Sequence, residues 1–362
     1  MRIVSISYSY TPGFTEPGSW LDKIKFYTGI LEEMGRQHEV ISIEQINYKG
    51  ECRKNGVQYF FINKGQKVGY FPWKMHGFIK KQKPDIIFMN GFIFPLQVLQ
   101  LKMMLGKTVK IIILHRAERP FRGIKKIVQQ LAEKCVDAFF FSSEEFGSEW
   151  MQEGIINDKR KVHEIIQSSS SFITMDKTIS RSVTTVRGSP VFLWVGRLNV
   201  NKDPLTVIKA FIQFQKKYPE SVLYMIYQTE ELIEQVKSII KETQGITLVG
   251  KIDHDKLQHW YNSADFIISG SHYEGGGIAV SEAMSCGCIP ILTDIISFRS
   301  ITGKGKCGIL YKPGNVDALY DALLETTQMD IVKGKEKVLQ QFKNELSFEA
   351  IGNKIERVIT SF

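Results

Sequence analysis

The sequence predicts an α/β protein made of two doubly wound parallel-sheet domains, and three observations support this fold class. A chain of 362 residues exceeds the roughly 250–300 residues at which one hydrophobic core stops growing efficiently. Short apolar segments alternate with amphipathic helical patterns in both halves, as parallel strands with long crossovers require. The serine-rich stretch 168–189 separates the halves and is typical of a linker. We therefore expect two domains with a cleft between them.

The first half begins with an alternating, strand-like segment and continues with further apolar runs. Helical patterns cover Trp20–Met34 and Gly123–Cys135. The predicted strands are Arg2–Tyr8, His38–Ile43, Gln58–Ile62, Asp85–Met89, Lys110–Leu114 and Ala138–Ser142. Strands that alternate with helices in this way predict a parallel sheet covered by helices.

The second half repeats the same alternation from about residue 190. The predicted strands are Val191–Val195, Val222–Tyr227, Thr247–Val249, Phe266–Ser269 and Ile289–Thr293. The predicted helices are Pro204–Lys217, Glu230–Thr243, Lys256–Asn262 and Ile278–Cys286, with a final helix at Phe348–Ile359. The second half is therefore expected to form its own parallel sheet.

Composition and cysteine usage exclude several classes of protein. The 43% hydrophobic and 23% charged residues are globular proportions and exclude a disordered or low-complexity chain. No apolar run approaches the ~20 residues that a membrane helix needs. The N-terminal segment lacks the pattern of a signal peptide, and the five cysteines form no CxxC pair. We expect a reduced, cytoplasmic protein without a structural metal.

The formal charge of +9 lies mainly in the first half. Residues 1–180 contain 26 Lys and Arg residues against 18 Asp and Glu residues. This excess favours an anionic partner, although a solvated basic face explains it equally well. One hypothesis is that the basic residues dock on an anionic membrane together with Trp73, Phe78, Phe92 and Phe94.

The loop after the first strand does not support two common nucleotide-binding motifs. A dinucleotide fingerprint needs GxGxxG after the strand, and the segment TPGFTEPGSW offers only Gly13 and Gly18. A phosphate-binding P-loop needs Lys and then Ser or Thr after its last glycine, whereas Ser19 and Trp20 follow Gly18. A classical dehydrogenase and a P-loop NTPase are therefore not supported.

The glycine-rich segment 271–287 carries the strongest chemical signal. It follows a predicted strand, and its three glycines would let a backbone approach a ligand closely. Free N–H groups at the start of the next helix suit a phosphate or diphosphate. Glu282, one turn inside that helix, could turn its carboxylate toward a sugar diol. The alternative is a glycine-rich turn before a surface helix with a solvated Glu282.

The loop 196–204 carries a second signal. Arg197 and Lys202 follow the first strand of the second half and could neutralise a departing diphosphate without a metal. The alternative is a surface loop in which Lys202 is solvated and Asp203 caps the helix that begins at Pro204.

Together the two segments resemble the retaining nucleotide-sugar glycosyltransferases of the GT-B fold, in which two Rossmann-like domains face each other across a cleft. The nearest resemblance is to the "glycosyl transferases group 1" family. It rests on the Gly-Arg-Leu…Lys loop at 196–202, on Glu274 and Glu282, on Glu-Ala-Met…Cys-Gly at 282–287, and on Gly308-Ile-Leu…Pro-Gly-Asn at 308–315. The first loop and the stretch 165–172 depart from the family pattern, which leaves the acceptor open.

The resemblance implies an N-terminal acceptor-binding domain at 1–175, a donor-binding domain at 188–345, and a helix at 346–362 that packs back on the first domain. Arg197 and Lys202 would hold the diphosphate, Glu282 the ribose hydroxyls, and Glu274 the transferred sugar. The remaining implied donor contacts are Gly18, His115, Gly250, Ile252, Gly275, Gly276, Gly277, Ile278 and Ala279. Of these, His115 would reach the donor sugar, and Gly250 and Ile252 would lie against the nucleobase.

The implied activity is metal-independent transfer, with retention, of a sugar from a nucleoside-diphosphate sugar to a hydroxyl acceptor. The donor would be linked to UDP or GDP, the acceptor would be a saccharide or a lipid-linked sugar of the cell envelope, and the protein would sit in the cytoplasm or on the inner face of the membrane. No cofactor is implied. Asp253-His254-Asp255 matches the DxD pattern of metal-dependent transferases, but we expect one of these aspartates to cap the following helix.

Three other functions stay open at this stage. A catalytically silent nucleotide-sugar-binding subunit would keep the same donor residues, and a nucleotide-sugar epimerase can share the fold. A nucleic-acid-binding protein is suggested only by the charge, because no recognised binding motif accompanies it; we expect no nucleic-acid partner. The nucleobase, the sugar, the acceptor and the linkage are not determined by the sequence.

Overall fold

The structure is a computed structural model that describes residues 1–63 and 71–362. The chain divides into two compact units. Unit 1 contains Met1–Ser169 together with Phe348–Phe362, and unit 2 contains Ser170–Ser347. The sequence predicts that the N-terminal domain ends at residue 175, whereas the first segment of unit 1 ends six residues earlier, at Ser169.

Unit 1 is built on an eight-stranded sheet in the order β3-β4-β2-β1-β5-β6-β7-β8. All neighbouring strands are parallel except β3 and β4, which form an antiparallel pair. The strands are β1 (Arg2–Ile6), β2 (Glu39–Glu44), β3 (Gly50–Lys54), β4 (Val57–Phe61), β5 (Ile86–Asn90), β6 (Lys110–Leu114), β7 (Ala138–Phe141) and β8 (Val162–Glu164). The central strands are buried along most of their length because helices cover both faces.

The helices of unit 1 are α1 (Pro17–Lys23), α2 (Lys25–Met34), α3 (Trp73–Lys81), α4 (Pro95–Leu105), α5 (Ile124–Glu133) and α6 (Glu144–Gln152). The C-terminal helix Phe348–Ile359 also belongs to this unit and packs against α2. Two glycines permit the close approach: Gly29 lies under the ring of Phe348, and a Cβ on Gly352 would lie 2.9 Å from Cγ of Glu33. His38, which lies between α2 and β2, places its Nε2 2.7 Å from Oε2 of Glu356 in the C-terminal helix.

Unit 2 is built on a six-stranded parallel sheet in the order β11-β10-β9-β12-β13-β14. The strands are β9 (Val191–Gly196), β10 (Val222–Tyr227), β11 (Ile246–Gly250), β12 (Phe266–Ser269), β13 (Ile289–Thr293) and β14 (Ile309–Tyr311). The helices are α7 (Lys177–Thr184), α8 (Pro204–Lys217), α9 (Ile233–Ile240), α10 (Leu257–Ser263), α11 (Ile278–Ser285), α12 (Ile296–Ile301), α13 (Val316–Glu325) and α14 (Ile331–Gln341).

Some sequence-based expectations need correction. The helix predicted over Trp20–Met34 is two helices that meet at Ile24. The boundary between the two units falls within the stretch 168–189, but most of this stretch belongs to unit 2. It contains α7, Asn262 accepts a hydrogen bond from the Met175 N–H at 2.7 Å, and Lys177 pairs with the buried carboxylate of Asp265.

The aromatic residues that were expected to face a membrane do not share one environment. Trp73 is exposed, but Phe92 is buried against Phe139 and Trp150, with ring centroids 5.3 and 5.9 Å away. The prediction that Phe92 contacts a membrane is therefore wrong. Within the part of the chain that the structure describes, no helix combines the length and the apolarity that a membrane span requires.

Candidate functional site

The strand order of unit 2 reverses between β9 and β12. From β9 the chain proceeds outward through β10 to β11, and it then returns to the other side of β9 as β12. Ligands of open α/β sheets bind outside the carboxyl ends of the strands at such a reversal. The loops 197–203 and 270–277, which overlap the segments 196–204 and 271–287 singled out in the sequence, follow β9 and β12 and therefore meet at this edge.

Backbone contacts join these two loops. The N–H of His272 donates to the carbonyl of Asn201 at 2.8 Å, and the side-chain amide of Asn201 donates to the carbonyl of Tyr273 at 3.0 Å. Gly270 packs so closely that a Cβ there would lie 2.8 Å from the carbonyl oxygen of Asp203. The loops are therefore held as one rigid edge.

Lys202 and Glu274 pair directly across the two loops. The Lys202 N–H is capped by the side chain of Asn199 at 3.0 Å, and the Ser271 hydroxyl donates to Oε1 of Glu274 at 2.8 Å. Both charged side chains are mostly shielded from solvent. The structure thus brings together two residues that lie 72 positions apart and that the sequence assigned to different parts of a ligand.

Arg197 and Asp203 flank Lys202 on the same loop. Arg197 is exposed, and no side chain among residues 1–63 and 71–362 pairs with its guanidinium. Asp203 accepts a hydrogen bond from the Thr206 N–H at 3.2 Å and so caps α8, as expected. Its other oxygen lies 3.2 Å from Nε2 of His272, which adds a further link between the loops.

The glycine turn leads directly into α11. Gly277 occupies the N-cap position in the left-handed region, with φ of 54°, and a Cβ there would lie 2.8 Å from Ile301 and 3.1 Å from Phe298. Glycine offers no capping side chain, so the first N–H groups of α11, those of Ile278 and Ala279, have no acceptor at the N-cap. Such an end attracts anions. Gly275 and Gly276 lie in the turn just before it.

Glu282 lies within α11 but is buried, with only 5% of its surface exposed. Its Oε1 is 2.6 Å from Nε2 of His254, and its Oε2 accepts a hydrogen bond from the Tyr261 hydroxyl at 3.1 Å. Burial raises the pKa of Tyr261, and the adjacent Glu282 raises it further. The Phe172 ring stacks near His254, with centroids 5.1 Å apart. Glu282 is therefore not the solvated residue of the alternative interpretation.

Gly250 is the last residue of β11, and Ile252 lies two residues after it, at the outer side of the same sheet. Gly250 has φ of 85°, which favours glycine, and no atom of the described residues lies within 4 Å of the position of a Cβ. Ile252 is half-buried against the core of unit 2. The open space beside Gly250 is compatible with a flat ligand.

The prediction that Asp253 or Asp255 caps the following helix with its side chain is wrong. Asp253 occupies the N-cap of the short 3₁₀ turn His254–Lys256 but accepts no capping hydrogen bond, and it pairs instead with Lys256 at 3.0 Å. Within the described ranges, His, Cys, Asp and Glu side chains form no group of three that could hold a metal ion.

The two predicted donor residues of the first half lie in unit 1. Gly18 is exposed in the first turn of α1, and a Cβ there would meet no atom of residues 1–63 and 71–362 within 4 Å. His115 is buried beside Phe141, Phe146 and Trp150, and its Nε2 lies 2.9 Å from the carbonyl oxygen of Glu118. Burial lowers the pKa of His115, and Glu118 only partly opposes this effect. The ring is therefore held neutral in the fold.

Unit 1 also contains a pocket of about 310 Å³ that sequence reasoning missed. It lies at the carboxyl ends of β1, β2, β5 and β6, where the strand order of this sheet reverses between β1 and β5. The lining residues are Ser7, Ser9, Trp20, Ile24, Phe26, Tyr27, Glu44, Asn90, Gly91, Ile93, Arg116 and Glu118. The strand-order rule could have indicated this position, but the charged residues in it are not part of a recognisable motif.

Two charged residues dominate the pocket. Glu44 accepts hydrogen bonds from the Trp20 indole at 3.1 Å and from the Ser42 hydroxyl at 2.7 Å, and burial raises its pKa. Arg116 lies over the ring of Tyr27 at 4.4 Å and donates through Nε to Asn90 at 3.0 Å. A carboxyl group, a guanidinium, an amide and aromatic rings thus share one small volume.

Residues 176–344 match the sequence model of the family described as "Glycosyl transferases group 1". These residues form a glycosyl transferases group 1 domain. The poly(glycerol-phosphate) alpha-glucosyltransferase of Bacillus subtilis is 29% identical over 157 residues, which are 42% of this chain and 23% of that protein. The GDP-mannose:cellobiosyl-diphosphopolyprenol alpha-mannosyltransferase of Xanthomonas oryzae is 29% identical over 133 residues, which are 36% of this chain and 35% of that protein. The chain thus spans well under half of each relative.

Solved structures extend the likeness of fold to the whole chain. A glycosyltransferase from Rickettsia africae matches 99% of this chain and 98% of its own with a TM-score of 0.73 at 17% identity. Anabaena HepE, solved with UDP and glucose, matches 100% of both chains with a TM-score of 0.69 at 13% identity. The fold is GT-B. The glycosyl transferases group 1 domain contains Arg197, Lys202, Glu274 and Glu282, whereas Gly18 and His115 lie outside it.

Proposed function

We propose that this chain is a metal-independent, retaining glycosyltransferase that moves a sugar from a nucleoside-diphosphate sugar to a hydroxyl acceptor. The observation that carries the proposal is the joined edge of unit 2, where the loops after β9 and β12 place Arg197, the Lys202–Glu274 pair and the start of α11 side by side. This edge lies inside the glycosyl transferases group 1 domain.

The diphosphate is assigned to Arg197, Lys202 and the first N–H groups of α11. Negative charge grows on the departing phosphate as the sugar–oxygen bond breaks, so fixed cations and helix N–H groups stabilise the transition state more than the ground state. Arg197 is exposed and can offer its guanidinium fork to two phosphate oxygens. Lys202 supplies a second cation once the phosphate competes with Glu274 for its ammonium group. These cations take the place that a metal ion holds in other transferases.

The nucleoside is assigned to the outer part of the same edge. The Glu282 carboxylate is proposed to bind the ribose hydroxyls, and the nucleobase to lie beside Gly250 and Ile252. Because Oε1 of Glu282 lies 2.6 Å from Nε2 of His254, ribose binding at this oxygen requires the half-exposed His254 ring to move. Tyr261 is fully buried and keeps the second oxygen in place.

Glu274 is proposed to contact the hydroxyls of the transferred sugar, because it lies in the loop that leads to α11 and pairs there with the diphosphate cation Lys202. His115 and Gly18 are proposed to contribute from unit 1. The neutral ring of His115 would act as a hydrogen-bonding and shape-defining group and not as a cation.

The acceptor is assigned to the pocket of unit 1. The aromatic ring of Trp20 offers an apolar surface to a sugar ring, while Glu44 and Asn90 can bind its hydroxyls. A saccharide or lipid-linked sugar of a cell-envelope polymer is supported by the names of the curated relatives, which act on poly(glycerol-phosphate) and on a diphosphopolyprenol-linked sugar. A donor linked to UDP or GDP is supported by the relative that uses GDP-mannose and by the structure that contains UDP and glucose.

Thermal unfolding of the protein with UDP, GDP, ADP and CMP tests the donor site. A diphosphate at 100 times its dissociation constant should stabilise the chain by about 2.7 kcal/mol. Arg197→Gln should remove most of this stabilisation. Arg187→Gln is the matched control, because Arg187 is also an exposed arginine and, since it precedes β9, it lies at the amino end of the strands, opposite the candidate site.

Two further measurements test the reaction itself. Nucleotide binding that persists in EDTA would support metal independence. An α-configured product made from an α-linked donor, as determined by NMR, would support transfer with retention. Loss of nucleotide binding in EDTA contradicts metal independence. Nucleotide binding without transfer to any envelope saccharide would instead favour a silent binding subunit, and no nucleotide binding at all would refute the donor site.

A further inference from the structure

Helix α5 of unit 1 exposes its apolar side. Ile124, Ile127 and Leu131 are 78%, 56% and 49% exposed, and their spacing of three and four residues aligns them along one face of the helix. An amphipathic helix on a globular protein normally turns this face toward the core. Here the inward face carries Gln129, Ala132 and Glu133.

The inward polar face is held by specific bonds. The Gln129 amide donates to the carbonyl of Phe92 at 2.8 Å and accepts from the N–H of Phe121 at 2.8 Å. Glu133 pairs with Lys161 at 2.8 Å. A rotation that buried the isoleucines would break all of these bonds, so the apolar face is a fixed feature of the fold.

Positive charge lies at the start of the exposed face. Residues 119–134 contain five Lys and Arg residues and a single acidic residue, Glu133, which pairs with Lys161. Of the five, Lys126 pairs with Glu153 at 3.1 Å. Arg122 and Lys125 are exposed at the start of the helix. An apolar stripe flanked by lysine and arginine is the pattern of helices that lie in the interface of an anionic bilayer.

We propose that the outer face of α5 docks on an anionic lipid bilayer, with Ile124, Ile127 and Leu131 inserted among the acyl chains and with Arg122 and Lys125 at the headgroups. Charge complementarity selects this occupant, because a second copy of the chain would bring an equally basic face to the contact. The proposal deepens the proposed function, since an acceptor carried by a lipid is met at such a surface.

The test is co-sedimentation of the full chain with vesicles. Wild type should bind vesicles made of equal parts of phosphatidylglycerol and phosphatidylcholine and should not bind phosphatidylcholine alone. The triple variant Ile124→Ser, Ile127→Ser, Leu131→Ser should lower the partition coefficient at least about tenfold, because it removes the inserted side chains. The pair Arg122→Gln, Lys125→Gln should lower it by about tenfold as well, and added salt should reproduce that loss.

The matched control is the pair Ile179→Ser, Val183→Ser on α7. These side chains are each 59% exposed and four residues apart, but the neighbouring Lys177 and Arg181 face the buried carboxylate of Asp265. The control should bind vesicles as the wild type does. Equal binding to both vesicle types, or a triple variant that binds as well as the wild type, overturns the proposal.

Nucleotide binding and oligomeric state, measured alongside vesicle binding, distinguish a failure of this proposal from a failure of the proposed donor site. Nucleotide-dependent thermal stabilisation should be unchanged in the triple variant, because the substituted residues lie on the surface of unit 1. If the wild type binds vesicles but no nucleotide, the proposed function fails and the docking surface stands. If the wild type is instead a dimer that the triple variant converts to a monomer, the face binds a second copy and the membrane proposal is refuted.

Discussion

Replacement of Glu282 by alanine should destabilise unit 2 in the absence of any ligand. The Tyr261 hydroxyl is fully buried and donates to Oε2 of Glu282. Alanine at position 282 leaves this hydroxyl without its acceptor, which costs about 1–3 kcal/mol. For a domain of this size, each kcal/mol corresponds to a fall of about 2–4 °C in the melting temperature. A loss of nucleotide binding in this variant therefore combines a missing ligand contact with a weakened fold.

A double-mutant cycle separates the two effects. The free energy of unfolding is measured in urea for the wild type, Glu282→Ala, Tyr261→Phe and the double variant. Because Tyr261→Phe removes the hydroxyl that would be left unpaired, Glu282→Ala should cost at least about 1 kcal/mol less in that background. Glu282→Gln keeps an acceptor for Tyr261 and should stay close to wild type in stability. If the two single changes are additive within about 0.5 kcal/mol, the two side chains do not share the bond and the description of this network is wrong.

Three further predictions follow from other residues. Burial lowers the pKa of His115, so the unfolded chain takes up a proton at this ring at a higher pH than the folded chain does. The free energy of unfolding should therefore fall as the pH drops below about 6.5, by at most about 1.4 kcal/mol per pH unit. His115→Gln should lack this part of the pH dependence in urea titrations, and the same pH dependence in wild type and variant would refute the prediction. Glu274→Gln frees the ammonium of Lys202 and should tighten binding of the preferred nucleoside diphosphate by up to about fivefold in calorimetry, whereas weaker binding would show that Glu274 itself holds the nucleotide. Gly277→Ala should lower the free energy of unfolding by at least about 1–2 kcal/mol, because φ is 54° there and the new Cβ meets Ile301. Gly18→Ala is the matched control, because no atom in the described part of the chain lies within 4 Å of its Cβ; it should stay within about 0.5 kcal/mol of wild type.

The periodic elements could be predicted from the sequence because their information is local. The strand Lys110–Leu114 and the helices Pro204–Lys217 and Phe348–Ile359 have the predicted bounds. Alternation along a strand and the three-to-four-residue spacing along a helix are present within each segment. The break at Ile24 was not predictable in this way, because the segment contains no glycine or proline there and the end of α1 is determined by its surroundings.

The strands that the sequence did not reveal lie at or near sheet edges. β3 contains Arg53 and Lys54, and its burial pattern is mostly exposed, so it has no apolar face to recognise. β8 and β14 have three residues each and are too short to show a period. Pairing with a neighbouring strand forms these elements, and pairing is not a local property of the sequence.

The position of the candidate site was predictable, but its internal partners were not. Loops that follow neighbouring parallel strands meet at one edge, which is enough to bring Lys202 near Glu274. The contact of His254 with Glu282 depends on how the turn after β11 folds back over α11, and no spacing in the sequence encodes it. In the segment 253–255 the sequence pattern pointed to Asp253 and Asp255, but the residue that contacts Glu282 is His254.

Most of the ionisable side chains at the candidate edge pair with one another within the fold. Lys202 is bound to Glu274, His254 to Glu282, and His272 to Asp203. A ligand must therefore replace these contacts as well as make new ones. Each protein partner lowers the affinity for the ligand, because its contact must first be broken, but it also holds the ligand-binding side chain in position. Arg197 is the exception among the assigned cations of the described residues, since no carboxylate competes for it. Substitution of Arg197 should consequently report ligand binding most directly, because its removal leaves no buried partner unpaired.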